Sequence, residues 1–137
     1  MDCDAPVSTN ATTARVLVVD DNLDTATSAA LLLSLQGYET FMAHDGLAAI
    51  AAAEEKRPDV VLLDIGLPKL DGFEVAKRIR EMPWGRDVVL IAHTGLSDQE
   101  AYDKCVDSGF NFQLVKPVTA KTLASVLSNL TFPSIPR

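Results

Sequence analysis

Short apolar runs alternate along the chain with longer segments whose apolar positions recur every three or four residues. The first run spans about Arg15 to Asp20, and Ala26, Ala29, Ala30 and Leu33 then repeat at helical spacing until Gly37 stops the helix. Tyr38 to Ala43 reads as a second strand. Asp45 is placed to cap a second helix with Leu47, Ile50 and Ala51 on its apolar face, and Pro58 turns the chain into a third strand at Asp59 to Leu63. A third helix is predicted from about Asp71 to Glu81 with Phe73, Ala76 and Ile79 inward. Pro83-Trp84-Gly85 turns into a fourth strand, Asp87 to Ala92, and leaves Trp84 partly exposed. Ser97 with Glu100 forms a capping box for helix four. Leu114-Val115 belongs to strand five, and Thr119 caps a fifth helix striped by Leu123, Val126, Leu127 and Leu130.

Strands alternating with helices make a parallel sheet covered on both faces. The expected fold is therefore α/β: a doubly wound five-stranded parallel sheet, flavodoxin-like in its order 2-1-3-4-5, in a three-layer α/β/α sandwich. Charged residues end several of the buried runs: Asp20-Asp21 after Val16-Leu17-Val18-Val19, Asp64 after Val60-Val61-Leu62-Leu63, and Lys116 after Leu114-Val115. Charge is costly in a core, so its recurrence at equivalent strand ends marks a shared polar site at the carboxyl rim of the sheet.

Composition narrows what that rim serves. The 137 residues suit one domain, and 47% apolar with 23% charged residues is a globular balance. Residues 1–13 are polar and aperiodic, which predicts a flexible tail; the domain is expected over 14–130, with a short tail at 131–137. No run is long enough to cross a membrane and the first residues lack a secretory pattern, so a cytoplasmic location is expected. Twelve Lys and Arg against 19 Asp and Glu give a net charge of −7, which argues against direct nucleic-acid binding. Cys3 and Cys105 make no disulfide framework, and Cys105 is expected to pack as a small apolar group.

Aspartates beside a lysine suit a hard cation and a phosphoryl group. Magnesium takes one or two protein carboxylates while keeping waters, and Asp21 and Asp64 can supply them. Asp20 is placed to hold a metal-bound water, and the Gly66 backbone carbonyl offers a further oxygen. No sulfur or imidazole set for zinc exists. An aspartate can also attack phosphorus to give an aspartyl phosphate, with Asp64 the best placed nucleophile. Thr94 and Lys116 could share the charge of the transferring group, and Gly95 leaves it room. Taken singly, these residues read as turn or cap residues; their position at the ends of four strands favours a site. His93 should point away from Thr94 and His44 should lie in the turn after strand two, and neither has a Cys or Ser partner for nucleophilic catalysis.

With VLVVDDN, PDVVLLDIGLPKLDGFEVAKRIR, Thr94-Gly95 and LVKPV in one chain, the stretch from about Arg15 to Leu130 resembles the receiver domain of two-component response regulators. The resemblance implies that Asp64 is the phosphoacceptor, that Asp20 and Asp21 form the pocket for Mg2+ (Mn2+ as a substitute), that Thr94 is the switch hydroxyl and that Lys116 contacts the phosphoryl group. It implies as donor a sensor histidine kinase or histidine phosphotransfer protein. A downstream protein would read a surface around helix four, strand five and helix five, and a homodimer through that surface stays open. In such receivers an aromatic often stands three residues before the lysine; here that residue is Gln113, with Phe112 on the other face. Gly66 and Leu96, at the positions that tune hydrolysis, carry no side chain able to position water, so a persistent phosphoryl group is expected.

Two rivals share part of this pattern. A magnesium-dependent phosphohydrolase of the haloacid-dehalogenase type would want an Asp two residues after the nucleophile, where Gly66 stands. A phosphorylation-independent binding module of the same fold would have no need of Asp20, Asp21, Asp64, Thr94 and Lys116 together.

Overall fold

A computed structural model describes residues 14–66, 71–95 and 99–115, together with Thr122, Ser125 and Leu127. Its strands are β1 (Arg15–Val19), β2 (Glu39–Ala43), β3 (Val60–Asp64), β4 (Val89–Thr94) and β5 (Phe112–Val115). All pair in parallel, in the order β2-β1-β3-β4-β5, which is the expected one. The helices are α1 (Leu23–Leu35), α2 (Gly46–Lys56), α3 (Gly72–Glu81) and α4 (Gln99–Ser108). Thr122, Ser125 and Leu127 are also helical, within the range expected for a fifth helix.

Side-chain alternation along the strands divides the core in two. Leu17, Val19, Val61, Leu63, Leu90 and Ala92 face α2, α3 and α4, where they meet Ala49, Ala53, Val75, Ala76, Ile79 and Cys105. Val16, Val18, Val60, Leu62 and Ile91 face the other way, onto Ala26, Ala30 and Leu33 of α1 and onto Leu127. Each fully buried Val, Leu or Ile contributes about 1.5–3 kcal/mol, so the three layers follow from burying both faces of every central strand.

Capping groups set where the helices begin and end. Asn22, Asp45 and Asp71 accept from the backbone N–H groups of Thr25, Ala48 and Glu74 at 3.1, 2.8 and 2.9 Å, so each stands as an N-cap. Gly37, at φ +101°, turns the chain after α1 in the left-handed region, as its place in the sequence predicts.

Three sequence expectations shift. The inward face of α2 is Gly46, Ala49 and Ala53 rather than Leu47, Ile50 and Ala51; Leu47 is 54% exposed, Ala51 is exposed, and Ile50 is half-buried. Five of the eleven residues of α2 are alanines, so the apolar pattern is nearly rotation-invariant, and close approach to the sheet selects the smallest face. In α3 Val75 is fully buried, whereas Phe73 is half-buried at the core edge, its ring edge-on to Phe110 with centroids 6.4 Å apart. Strand β4 runs to Thr94, because His93 pairs with Asp64 and Thr94 with Val115, which extends it beyond the apolar run that suggested Ala92. Trp84 is half-buried with the Arg57 guanidinium 5.1 Å above its ring. Ser97, Thr119, Leu123, Val126 and Leu130, and the tails at 1–13 and 131–137, lie outside the described residues.

Candidate functional site

The strand order reverses between β1 and β3: the chain moves outward from β1 to β2, then returns across β1 to β3 and continues to β4 and β5. Right-handed crossovers then put α1 on one face and α2, α3 and α4 on the other, which leaves a crevice above the carboxyl ends of β1 and β3. Asp20 and Asp21 follow β1, and Asp64 is the last residue of β3. One carboxylate oxygen from each of the three lies within 4.8 Å of the others. Asp20 and Asp64 are only 4% and 5% exposed, whereas Asp21 is open to solvent.

Local hydrogen bonds explain how these acids are aimed. Asp20 Oδ1 accepts from the backbone N–H of Asn22 at 2.9 Å, and Asp64 Oδ1 accepts from that of Gly66 at 3.1 Å. Both are Asx turns, in which a short acidic side chain bends the strand end back on itself. Gly72 opens α3 directly beneath this turn: its N–H donates to the Ile65 carbonyl at 3.0 Å, and a Cβ there would stand 2.7 Å from Ile65 Cα and 2.8 Å from the Asp64 carbonyl oxygen. Only glycine allows the helix to begin so close to the acidic residue. Thr94, 4% exposed, ends β4 one residue beyond the strand partner of Asp64.

Two buried carboxylates beside a third exposed one repel each other and lose hydration, so the cluster fits a cation. An all-oxygen donor set suits a hard divalent ion such as magnesium and not zinc.

The chain belongs to the response regulator receiver domain family, whose model matches residues 16–128. It is a phosphoacceptor receiver of two-component phosphorelay signalling. It is similar to the transcriptional regulatory protein PrrA of Mycobacterium tuberculosis, 40% identical over 122 residues that cover 88% of this chain and 51% of PrrA. The chain thus spans about half the length of that relative. Among solved structures, the chemotaxis response regulator CheY4 of Vibrio cholerae is 32% identical with a TM-score of 0.82, covering 85% of this chain and 98% of CheY4. The receiver domain of sensor histidine kinase PA1611 from Pseudomonas aeruginosa, solved with a magnesium ion in its active site cleft, is 34% identical with a TM-score of 0.77 and covers 85% and 95%. Receivers of this family pair with histidine kinases.

The sequence-derived site residues Asp20, Asp21, Asp64, Gly66 and Thr94 thus gather at one rim, while Lys116 and Leu96 lie outside the described residues. Gln113 is half-exposed on the Ala92 side of the sheet, and Phe112, 42% exposed, lies on the Ile91 side. One neighbour of the site escaped the sequence reading: the His44 ring, whose Nδ1 lies 3.1 Å from the Asp20 carbonyl oxygen. No motif marks such a contact, because it joins a side chain to a backbone group 24 residues away. Among the described residues no helix is long and apolar enough to cross a membrane.

Proposed function

We propose that Asp64 is the phosphoryl acceptor of this receiver, that Asp20, Asp21, Asp64 and the Gly66 carbonyl hold Mg2+ (or Mn2+), and that Thr94 and Lys116 bind the transferred group. The observation that carries this reading is the meeting of two buried aspartates and an exposed one at the strand-order reversal. An Asp64 carboxylate oxygen attacks phosphorus, and the bond from phosphorus to the donor's imidazole nitrogen breaks, with its electron pair leaving on that nitrogen. When bound, magnesium would offset charge on the phosphoryl oxygens as the group passes in line. The Gly66 N–H holds the Asp64 carboxylate in one orientation, so little reorganisation precedes attack.

The donor is a sensor histidine kinase or a histidine phosphotransfer protein, and the setting is cytoplasmic. The chemistry is confined to self-phosphorylation and slow loss of the group. A dianionic phosphoryl group at Asp64 draws the Thr94 hydroxyl and Lys116 towards it, and biases the surface around α4 and β5 between two states that a partner protein distinguishes.

The test is incubation with magnesium and a small phosphodonor, or with beryllofluoride, followed by intact mass and NMR spectra beside Asp64→Asn. Wild type should gain one acid-labile phosphoryl group and the variant none. Absence of both phosphorylation and analogue binding in wild type would overturn the reading in favour of a binding module, and steady turnover of a phosphate ester would favour a phosphohydrolase.

A further inference from the structure

Of the three clustered carboxylates, Asp21 is the one without a fixed side chain: it is exposed, and among the described residues its carboxylate takes no hydrogen bond. Its position is set by the backbone that carries it, above all by the plane of the peptide linking Asp20 to Asp21. That peptide is gripped from the end of β2. Its carbonyl, that of Asp20, meets Nδ1 of His44 at 3.1 Å, and the peptide before it is held in turn by the Asp20 N–H, which donates to the carbonyl of Ala43, the residue preceding His44, at 3.1 Å. Since a carbonyl only accepts, the ring must donate from Nδ1–H. The His44 ring is half-buried and begins the turn that Asp45 closes by capping α2. It is therefore held on a rigid element rather than on a loose loop.

We infer that His44 is a positioning residue for the cation site: through the Asp20 carbonyl it fixes the Asp20–Asp21 peptide plane and so aims the Asp21 carboxylate at the ion. This inference rests on the reading of Asp20, Asp21 and Asp64 as the Mg2+ pocket. Outer groups that orient ligands contribute to metal affinity although they never touch the metal. Here the outer group acts on a backbone carbonyl, one peptide removed from the ligand.

The experiment compares Mg2+ affinity, by NMR titration of the full chain, in wild type, His44→Phe and His44→Asn, with the midpoint of urea unfolding without metal measured alongside. Phenylalanine keeps the ring and its packing but removes the donor, whereas the asparagine amide nitrogen occupies the same branch position as Nδ1 and keeps one. The expected result is about fivefold weaker Mg2+ binding for His44→Phe, near wild-type binding for His44→Asn, and the same ranking in the magnesium dependence of phosphorylation with little change at saturating magnesium. Equal affinity in all three, or a loss for Asn with none for Phe, would overturn the inference and leave a packing role. If wild type itself bound no Mg2+, the pocket reading would fail first, and the two failures are thereby distinguished.

Discussion

Removing the guanidinium of Arg80 should cost the fold more than almost any other change to a charged residue, without touching the phosphorylation chemistry. From the last turn of α3, its Nη1 donates to the carbonyls of Gly85 (2.8 Å) and Val88 (2.6 Å), with a longer contact to that of Arg86 (3.3 Å). Nε and Nη2 both donate to the Gly109 carbonyl, at 3.0 and 2.8 Å, and Nη2 also reaches Asn111 Oδ1 at 2.8 Å. Asn111 in turn accepts from the Leu90 N–H at 2.9 Å and donates its own N–H to the Leu90 carbonyl at 2.8 Å. One cation thus ties α3, the loop before β4 and the loop before β5 to a single point. Burial lowers its pKa and nearby Asp87 raises it, in that order of weight, and a guanidinium stays charged regardless.

A hydrogen bond from a charged donor is worth about 1.5–3 kcal/mol, against which stands the cost of desolvating the guanidinium. Truncation to Arg80→Met keeps most of the aliphatic packing and strands at least three carbonyls, so the net loss should be about 3 kcal/mol, or on the order of 10 °C in Tm. Arg80→Lys, a single point charge that cannot fork, should recover about a third of that. Urea unfolding followed by circular dichroism measures both. The staple sits at the amino ends of β4 and β5, whereas the acidic cluster sits at the carboxyl ends, roughly 17 Å away by the rise of a strand. Phosphorylation of the folded variant should therefore proceed as in wild type. A loss below about 1 kcal/mol for Arg80→Met would refute the claim that these contacts hold the pole together.

Gly72→Ala drives a Cβ into the Asp64–Ile65 backbone and should both destabilise, by about 2 kcal/mol, and slow phosphorylation; an unchanged rate would mean that α3 does not press on the acidic turn. A Cβ at Gly66 would stand 4.0 Å from Asp64 Oδ1, so Gly66→Gln should place an amide beside the phosphoryl group and hasten its loss, while wild type keeps it; intact mass over time decides. Burial in α4 raises the pKa of the Cys105 thiol, so between its unfolded and folded values the folded state holds the extra proton, and stability falls as pH rises past about 8.5. Wild type should accordingly lose urea resistance between pH 7.5 and 9.5 faster than Cys105→Ala, and parallel curves would contradict this.

The strands and the acidic rim were legible because both follow from one-dimensional patterns with strong physical causes, whereas the strand order came from the few orders that doubly wound parallel sheets adopt. A run such as Val60-Val61-Leu62-Leu63 can hardly be anything but a strand buried on both faces, and an aspartate at its end must face either water or a partner. The face of α2 was not legible, since alanine leaves nothing for periodicity to count and the choice falls to the distance between helix and sheet. The end of β4 was not legible either, because His93 and Thr94 are held in the strand by partners on β3 and β5 and not by their own hydrophobicity.

The same distinction separates two kinds of residue in the folded chain. Asp20 and Asp64 announce themselves because each carries a charge in its side chain at a buried strand end where charge is expensive, and Asp21 and Thr94 draw notice by standing beside them at the same rim. His44 and Arg80 act instead on backbone carbonyls, at Asp20 and at Gly85, Val88 and Gly109, and a carbonyl has the same chemistry whatever residue bears it. Their partners therefore leave no trace in residue identity and appear only once the chain is folded. It follows that the acids should tolerate almost no substitution, whereas His44 should tolerate any residue that can still present a donor to the Asp20 carbonyl. The contrast between His44→Asn and His44→Phe thus probes the contact itself and not the identity of the residue that makes it.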